Sequence, residues 1–468
     1  MAHRDRAIFD RDDDGCELGV VSDMTAPTGE ARMSVRGAAF LGVGSMVGAG
    51  IFALLGEAGA VAGPAVWLSF LLGGVVATLL GYVVAKLGAR YPSSGGIVTF
   101  LIEGFGTGHI TGVVSWLLYF AALIITAMVA VSFGSYATAL FIGDDASAIA
   151  PGAFTTVMVI AVAAINLMGA SIIDRIQSLI VIVLLAVFGL FVVVTFSEMD
   201  TALLATSLYP PGIDIISSIA LTFFAYLGFA VISFTGGDLP NPERSLPRAM
   251  YLALGITTAL YVLVSIGVFG TLTVEEVIAN GETALAEAAR PVLGDAGFAI
   301  MAVAALLATS SSVNANIYGA VGTTAKLAAT RQFPTVFGSR ALVGGTRGLT
   351  ISVAIVLLLA NLVDLTAIAS LGSVVALAIF LLVAVAGMRL RHEIGARTTV
   401  IITAIVATSV VLVVFGVQTM RTEPQTFSAI IGVLLLAVFL EYAWSTIRDR
   451  RDSMDPAPEG DRRPAADA

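Results

Sequence analysis

The chain of 468 residues has one cysteine, Cys16, and three histidines, His3, His109 and His392. A single cysteine excludes an internal disulfide and a cysteine-cluster metal site. Lysine is nearly absent: of 24 basic residues only Lys86 and Lys326 are lysine, which we read as a compositional bias without functional content. Charge of either sign is scarce, 12% of residues against roughly 25% in soluble domains. Phosphate-loop (GxxxxGK[ST]), HExxH and CxxC patterns do not occur, so nucleotide-driven and zinc-hydrolase chemistry are not expected. No basic segment leads into a short apolar one, so no cleavable signal is expected.

What the chain has instead is apolar surface. Hydrophobic residues make up 57% of it and the mean hydropathy is +0.96. A helical membrane span needs about 20 apolar residues. The runs predict an all-α integral membrane protein with twelve transmembrane helices: 38–62, 64–88, 110–141, 152–172, 177–197, 213–235, 249–272, 297–325, 348–363, 365–388, 398–418 and 426–447. Residues 97–109 read as a short interfacial helix. Residues 1–35 read as a disordered tail, rich in acid at Asp12, Asp13 and Asp14, and 448–468 as a second tail. The net charge of −9 owes much to the first tail and points to no nucleic acid.

Basic residues set the expected orientation. With both termini in the cytoplasm, only Arg290 and Arg421 lie outside, which leaves 22 of the 24 basic residues inside. The expected location is therefore the cytoplasmic membrane, crossed many times, with lipid as the constant partner.

The stretch GSMVGAGIF, Gly44 to Phe52, interrupts the first span with Gly48-Ala49-Gly50. Backbone unwinds inside a membrane only where it faces protein or a cavity. Gly44-xxx-Gly48 is also the spacing that lets two helices pack closely. FFAYLGFA, Phe223 to Ala230, interrupts the sixth span at Gly228. Breaks at matching places in two halves point to a binding site between repeats.

Four motifs in order resemble the amino acid–polyamine–organocation family of permeases. They are GSMVGAGIF; YPSSGG from Tyr91 to Gly96; FFAYLGF followed by DLPNPERSLPRAM, Asp238 to Met250; and SSVNAN from Ser311 to Asn316. The resemblance covers roughly residues 35–400. It implies a fold like that of the bacterial leucine transporter. That is a 5+5 inverted repeat, residues 36–197 and 213–388, with two peripheral helices in 398–447. It also implies that the protein is a transporter and not an enzyme.

The family's site carries over residue by residue. The substrate carboxylate matches the N–H groups of Ala49 and Gly50, where a half-helix dipole helps. The substrate amine matches the carbonyls of Met46, Ala225 and Leu227. Phe224 matches an aromatic gate, though it also reads as an ordinary core aromatic. Tyr119, Asn314 and Ser373 are candidates for the wall facing the side chain. Many relatives carry an acid directly after the GF pair, and here that place holds Ala230. Its absence, with no histidine in a core span, favours a neutral amino acid over a cationic one or a polyamine.

Coupling is open between sodium, a proton and uncoupled exchange. The lysine amine of some proton-coupled relatives matches Leu184, so that mechanism is excluded. Sodium-coupled relatives of the wider fold match Ser311 and Ser312 with the carbonyls of Gly44 and Val47, hard ligands for a hard ion. Those hydroxyls could equally bond their own helix. No resident cofactor or metal is expected. The expected function is secondary active transport of amino acids by alternating access. Its rivals are an amino acid/amine exchanger of the same fold and a non-transporting amino-acid sensor. The oligomeric state is left open.

Overall fold

In a helix that faces lipid, every backbone bond must close within the segment, and the chain obeys this along nearly its whole length. The computed structural model describes residues 33–93, 96–168, 173–329, 332–339 and 346–454. Both expected tails therefore fall largely outside the described residues, as do Ser94 and Gly95 of YPSSGG. Among the described residues every regular element is a helix.

The chain enters at α1 (Val35–Ala49), continues as α2 (Ile51–Ala62) and turns into α3 (Val66–Arg90). A short α4 (Gly96–Phe105) precedes the long α5 (His109–Phe141). Then come α6 (Ala150–Met168) and α7 (Ile173–Glu198). The second half begins with α8 (Gly212–Ala225) and α9 (Phe229–Ser233), followed by α10 (Pro242–Phe269). Two short helices, α11 (Val274–Asn280) and α12 (Ala284–Glu287), cross the end of the bundle before α13 (Arg290–Ala329). The chain closes with α14 (Arg347–Leu362), α15 (Leu365–Arg389), α16 (Thr398–Thr422) and α17 (Pro424–Met454).

Nine helices among the described residues are long and apolar enough to cross a membrane, and the bent pair α8 with 229–237 makes ten. The expectation was twelve. The difference lies in α1, which stops at Ala49 after 15 residues, and in α14, with 16 residues, both shorter than a full crossing.

Three boundaries differ from the sequence reading. The seventh span, expected to begin at residue 249, is already helical from Pro242. Proline suits the first helical position because its missing N–H would have had no partner there. Pro247 follows inside the same helix. The segment from Arg448, read as tail, continues α17 to Met454. In α13, Gly294 adopts φ 63°, so the helix kinks just before the expected start of that span.

Small residues hold the bundle together where lipid gives no driving force. Gly74, Gly81 and Gly88 recur at seven-residue spacing along α3. They lie against Thr258, Leu254 and Leu246 of α10, running the opposite way. Polar side chains then lock α8 to α3: Thr222 donates to the Ser69 carbonyl at 2.8 Å and Tyr226 to the Phe70 carbonyl at 2.9 Å. The outer helices α16 and α17 pack on α15, α8 and α5 and present an apolar outer face, with Val413, Leu435 and Phe439 exposed. Glu441 is the exception on α17. Its side chain is 3% exposed, faces His109 at 3.6 Å, and lies where any side chain at Gly112 would collide with it.

At the end away from the N-terminus, α11, residues 281–283 and α12 lie over α2. A Cβ at Gly56 would sit 2.8 Å from the Gly281 carbonyl carbon, so the two backbones nearly touch. This cover carries Glu282, whose Oε2 is enclosed without a hydrogen-bond partner. Burial first and the Glu57 carboxylate second push its pKa from 4.5 up to about 7. A raised acid binds, in the folded state, a proton that the unfolded chain has already released. Stability is therefore lost as pH climbs from 4.5 to about 7. We expect the melting temperature in detergent to fall across that window, and Glu282→Gln to flatten the profile. An equal slope in both proteins would remove Glu282 as the cause.

Candidate functional site

Two interruptions, one in each half of the chain, meet inside the bundle. The first is a single residue. Gly50 ends α1 and starts α2, with φ −99° and ψ −75°. Its N–H stays inside α1, bonded to the Met46 carbonyl at 2.8 Å. No side chain caps α2. The first N–H groups of a helix have no partner within it, so those of Ile51, Phe52 and Ala53 point out of the start of α2. The last carbonyls of α1, from Val47 to Ala49, are left in the same way.

The second interruption covers Tyr226 to Gly228. Tight turns close it: the N–H of Tyr226 reaches Phe223 at 2.9 Å and that of Phe229 reaches Tyr226 at 3.0 Å. The N–H of Ala230 reaches Leu227 at 3.0 Å. Because Phe229 bonds to Tyr226, the Ala225 carbonyl is left for a partner outside its own helix.

The two breaks touch through Gly228. A Cβ there would lie 2.6 Å from the Ser45 carbonyl carbon and closer still to the Met46 nitrogen, so only glycine allows the approach. On the other side of α1, a Cβ at Gly48 would meet the Ala308 oxygen at 2.7 Å and the Ser312 Cβ at 2.9 Å. The first break is thus wedged between the second and α13.

Each sequence-predicted residue can be placed on this frame. Met46, Ala49, Gly50, Phe224 and Ala225 are all buried. Ala49 is the last residue of α1 and the Gly50 N–H is engaged, so the donors expected at Ala49 and Gly50 begin one residue later, at Ile51. The Leu227 carbonyl accepts from Ala230. Phe224 presses its ring on Gly372 of α15. Gly44 lies in the regular part of α1 and packs on Val181 of α7, the helix-contact role that its spacing also allowed.

In α13, Thr309 and Ser310 bond their own backbone four residues back. Ser312 instead accepts from the Asn316 amide at 3.3 Å. The wall candidates each have a hydrogen-bond partner: Tyr119 pairs with Ser352 at 3.0 Å, Asn314 with Asn166 at 2.8 Å, and Ser373 with its own Ala369 carbonyl at 2.7 Å.

Sequence reasoning missed Tyr261. This fully buried residue of α10 donates toward the Met46 carbonyl at 2.7 Å and the Ala225 carbonyl at 3.1 Å. Any Cβ on Gly50 would collide with its hydroxyl. The only sequence signal was a phenol in the middle of an apolar span. A second cluster was equally hidden: Trp116 and Tyr119 of α5 with Phe333 and Phe337, where the Trp116 and Phe333 rings stack at 4.1 Å.

The comparisons with known proteins agree with this architecture. The inner membrane transport protein YbaT of Escherichia coli is 31% identical over 401 residues, 86% of this chain and 93% of that protein. The serine/threonine exchanger SteT of Bacillus subtilis is 27% identical over 298 residues, 62% of this chain and 67% of its own length. A solved structure of a manganese transporter mutant from Eremococcus coleocola superposes with a TM-score of 0.59. It covers 91% of this chain and 97% of its own at 14% identity, which speaks for the fold alone. The amino acid permease family model matches residues 33–440. The chain is therefore a multi-pass membrane transporter that belongs to the amino acid permease family.

Proposed function

We propose that the protein moves neutral amino acids across the cytoplasmic membrane by secondary active transport, with the substrate held between the two breaks. The observation that carries this is the meeting of α2's uncapped start with carbonyls at both breaks, across the Gly228 contact. Donors on one side and acceptors on the other suit a zwitterion. The carboxylate takes the N–H groups at the start of α2, from Ile51 onward, with Gly50 and Ala49 lining the approach. The ammonium takes the carbonyls of Met46 and Ala225, and Leu227 completes that side. Phe224 closes the site from the end covered by α11 and α12. Ala230, where an acid would favour a cationic substrate, keeps the site neutral.

Counting α1 with α2 as one crossing, and α14 as another, yields twelve crossings in two inverted five-helix halves plus two peripheral helices. Both termini then lie in the cytoplasm, as the basic residues require. Alternating access moves α1, α2, α3, α8, α9 and α10 against the remaining helices. The interlocks between α3 and α8 and between α3 and α10 support moving these elements together.

For coupling we propose sodium, held by the Ser311 and Ser312 hydroxyls and the Val47 carbonyl, with Gly44 one turn away. Support comes from the hydroxyl bonds along α13: Thr309 and Ser310 donate to their own helix backbone, whereas the Ser312 hydroxyl accepts from the Asn316 side chain. Exchange is the second reading. It is favoured by similarity to a relative described as a serine/threonine exchanger.

Liposomes loaded with or without amino acid distinguish these readings. We expect concentrative uptake of a neutral amino acid that needs an inward sodium gradient. Ser312→Ala should raise the sodium concentration for half-maximal uptake about five- to tenfold, as expected for losing one polar ligand. Uptake that ignores sodium and needs internal amino acid would make the protein an exchanger. Gly228→Val should depress uptake by roughly an order of magnitude or more by forcing the breaks apart. Gly189→Ala on α7, with open space around it, should leave uptake intact. Normal transport by Gly228→Val would place the substrate elsewhere.

A further inference from the structure

Tyr261 sits where the substrate's ammonium is proposed to go. Its hydroxyl lies between the Met46 carbonyl, 2.7 Å away, and the Ala225 carbonyl, 3.1 Å away. These oxygens belong to different broken helices, and the phenol comes from a third, α10. A phenol has one proton to donate, so it can satisfy one of the two acceptors well but not both. An ammonium has three N–H donors, and bonds from a charged donor are stronger. The ring is held firmly. Phe70 packs edge-on at 5.2 Å and Tyr226 lies tilted at 5.1 Å, and the Tyr226 hydroxyl is itself tied to the Phe70 carbonyl at 2.9 Å. The hydroxyl therefore leaves the carbonyls only by a local shift of α10 against α1 and α8, within the group of helices proposed to move together.

We propose that Tyr261 is a specificity-determining latch. Its hydroxyl occupies the acceptors of the empty site, and a ligand loads fully only when its ammonium replaces it. Ligands without an ammonium cannot replace the phenol and leave the latch in place. Gly50 belongs to the same device, because a side chain there would push the hydroxyl off its partners. The inference rests on the amino acid site proposed above and adds the group that screens for the amine. It also ties loading of the site to movement of α10.

The test is equilibrium binding of a labelled neutral amino acid, leucine for example, to purified wild type and Tyr261→Phe in detergent. Each is competed with unlabelled leucine and with the deaminated analogue, 4-methylpentanoate. Removing the hydroxyl removes one competing hydrogen bond, so the variant should bind leucine about three- to tenfold more tightly. The analogue should bind both proteins equally. An unchanged or weaker affinity for leucine in Tyr261→Phe, with wild type binding normally, overturns the latch and leaves the amino acid reading standing. So does an equal gain for the analogue. If neither folded protein binds any of a panel of neutral amino acids, the substrate reading falls and the latch with it. Thermal unfolding checks that Tyr261→Phe is folded. Should it not be, a ring-fluorinated tyrosine at 261 keeps the ring and strengthens the donor. Leucine binding should then weaken, and a tighter or unchanged affinity would overturn the proposal.

Discussion

In hydrocarbon, a backbone amide or carbonyl without a partner costs several kcal/mol. That constraint governs where this chain can stop being a helix. The breaks at Gly50 and at Tyr226–Gly228 survive because the two pack on each other and the first also on α13, with Gly50, Tyr226 and Gly228 buried. Glycine makes this geometry reachable. Gly228 lets the second break rest on the backbone of Ser45 and Met46, and Gly48 lets α1 rest on the Ala308 carbonyl. Polar groups left over at the breaks are thereby gathered in one place, facing inward.

The rest of the bundle serves that arrangement. α3 is joined to α10 through its stripe of glycines and to α8 through Thr222 and Tyr226, so the half-helices are backed by a common support. The turns that close the second break are short, three-residue bonds, weaker than a regular helical ladder. The bend of 45° between α8 and the segment after it is thus held by neighbours more than by its own hydrogen bonds. At the far end, the cover formed by α11 and α12 nearly touches α2 at Gly56 and encloses the Glu282 carboxyl oxygen Oε2.

A likeness in fold to a manganese transporter at 14% identity shows how little the architecture says about cargo. What differs between such proteins is the chemistry presented at the breaks. Here the breaks present N–H groups, carbonyls and a phenol, with no group of three or more acidic, cysteine or histidine side chains placed to hold a metal among the described residues. Those are groups that recognise hydrogen-bonding ends of a small molecule.

Much of this was legible in the sequence because its causes are local. Hydropathy places the helices, since each must bury about 20 apolar residues in lipid. The glycine clusters mark where the helices break. Other features were not legible. The free donors at α2 shift to Ile51 because the Gly50 N–H keeps its bond to Met46, a matter of one torsion pair that no composition reveals. Asn314, Ser373 and Tyr119 looked available for the pocket, yet each found a partner on its own or a neighbouring helix. Tyr261 lies 215 positions from Met46 and 36 from Ala225. The sequence by itself determined that this is a membrane-spanning helical protein broken at two places. Only the tertiary structure decided that the breaks face each other and that a phenol from α10 stands between them. Contacts between distant segments depend on how whole helices pack, and packing is not written at any single position.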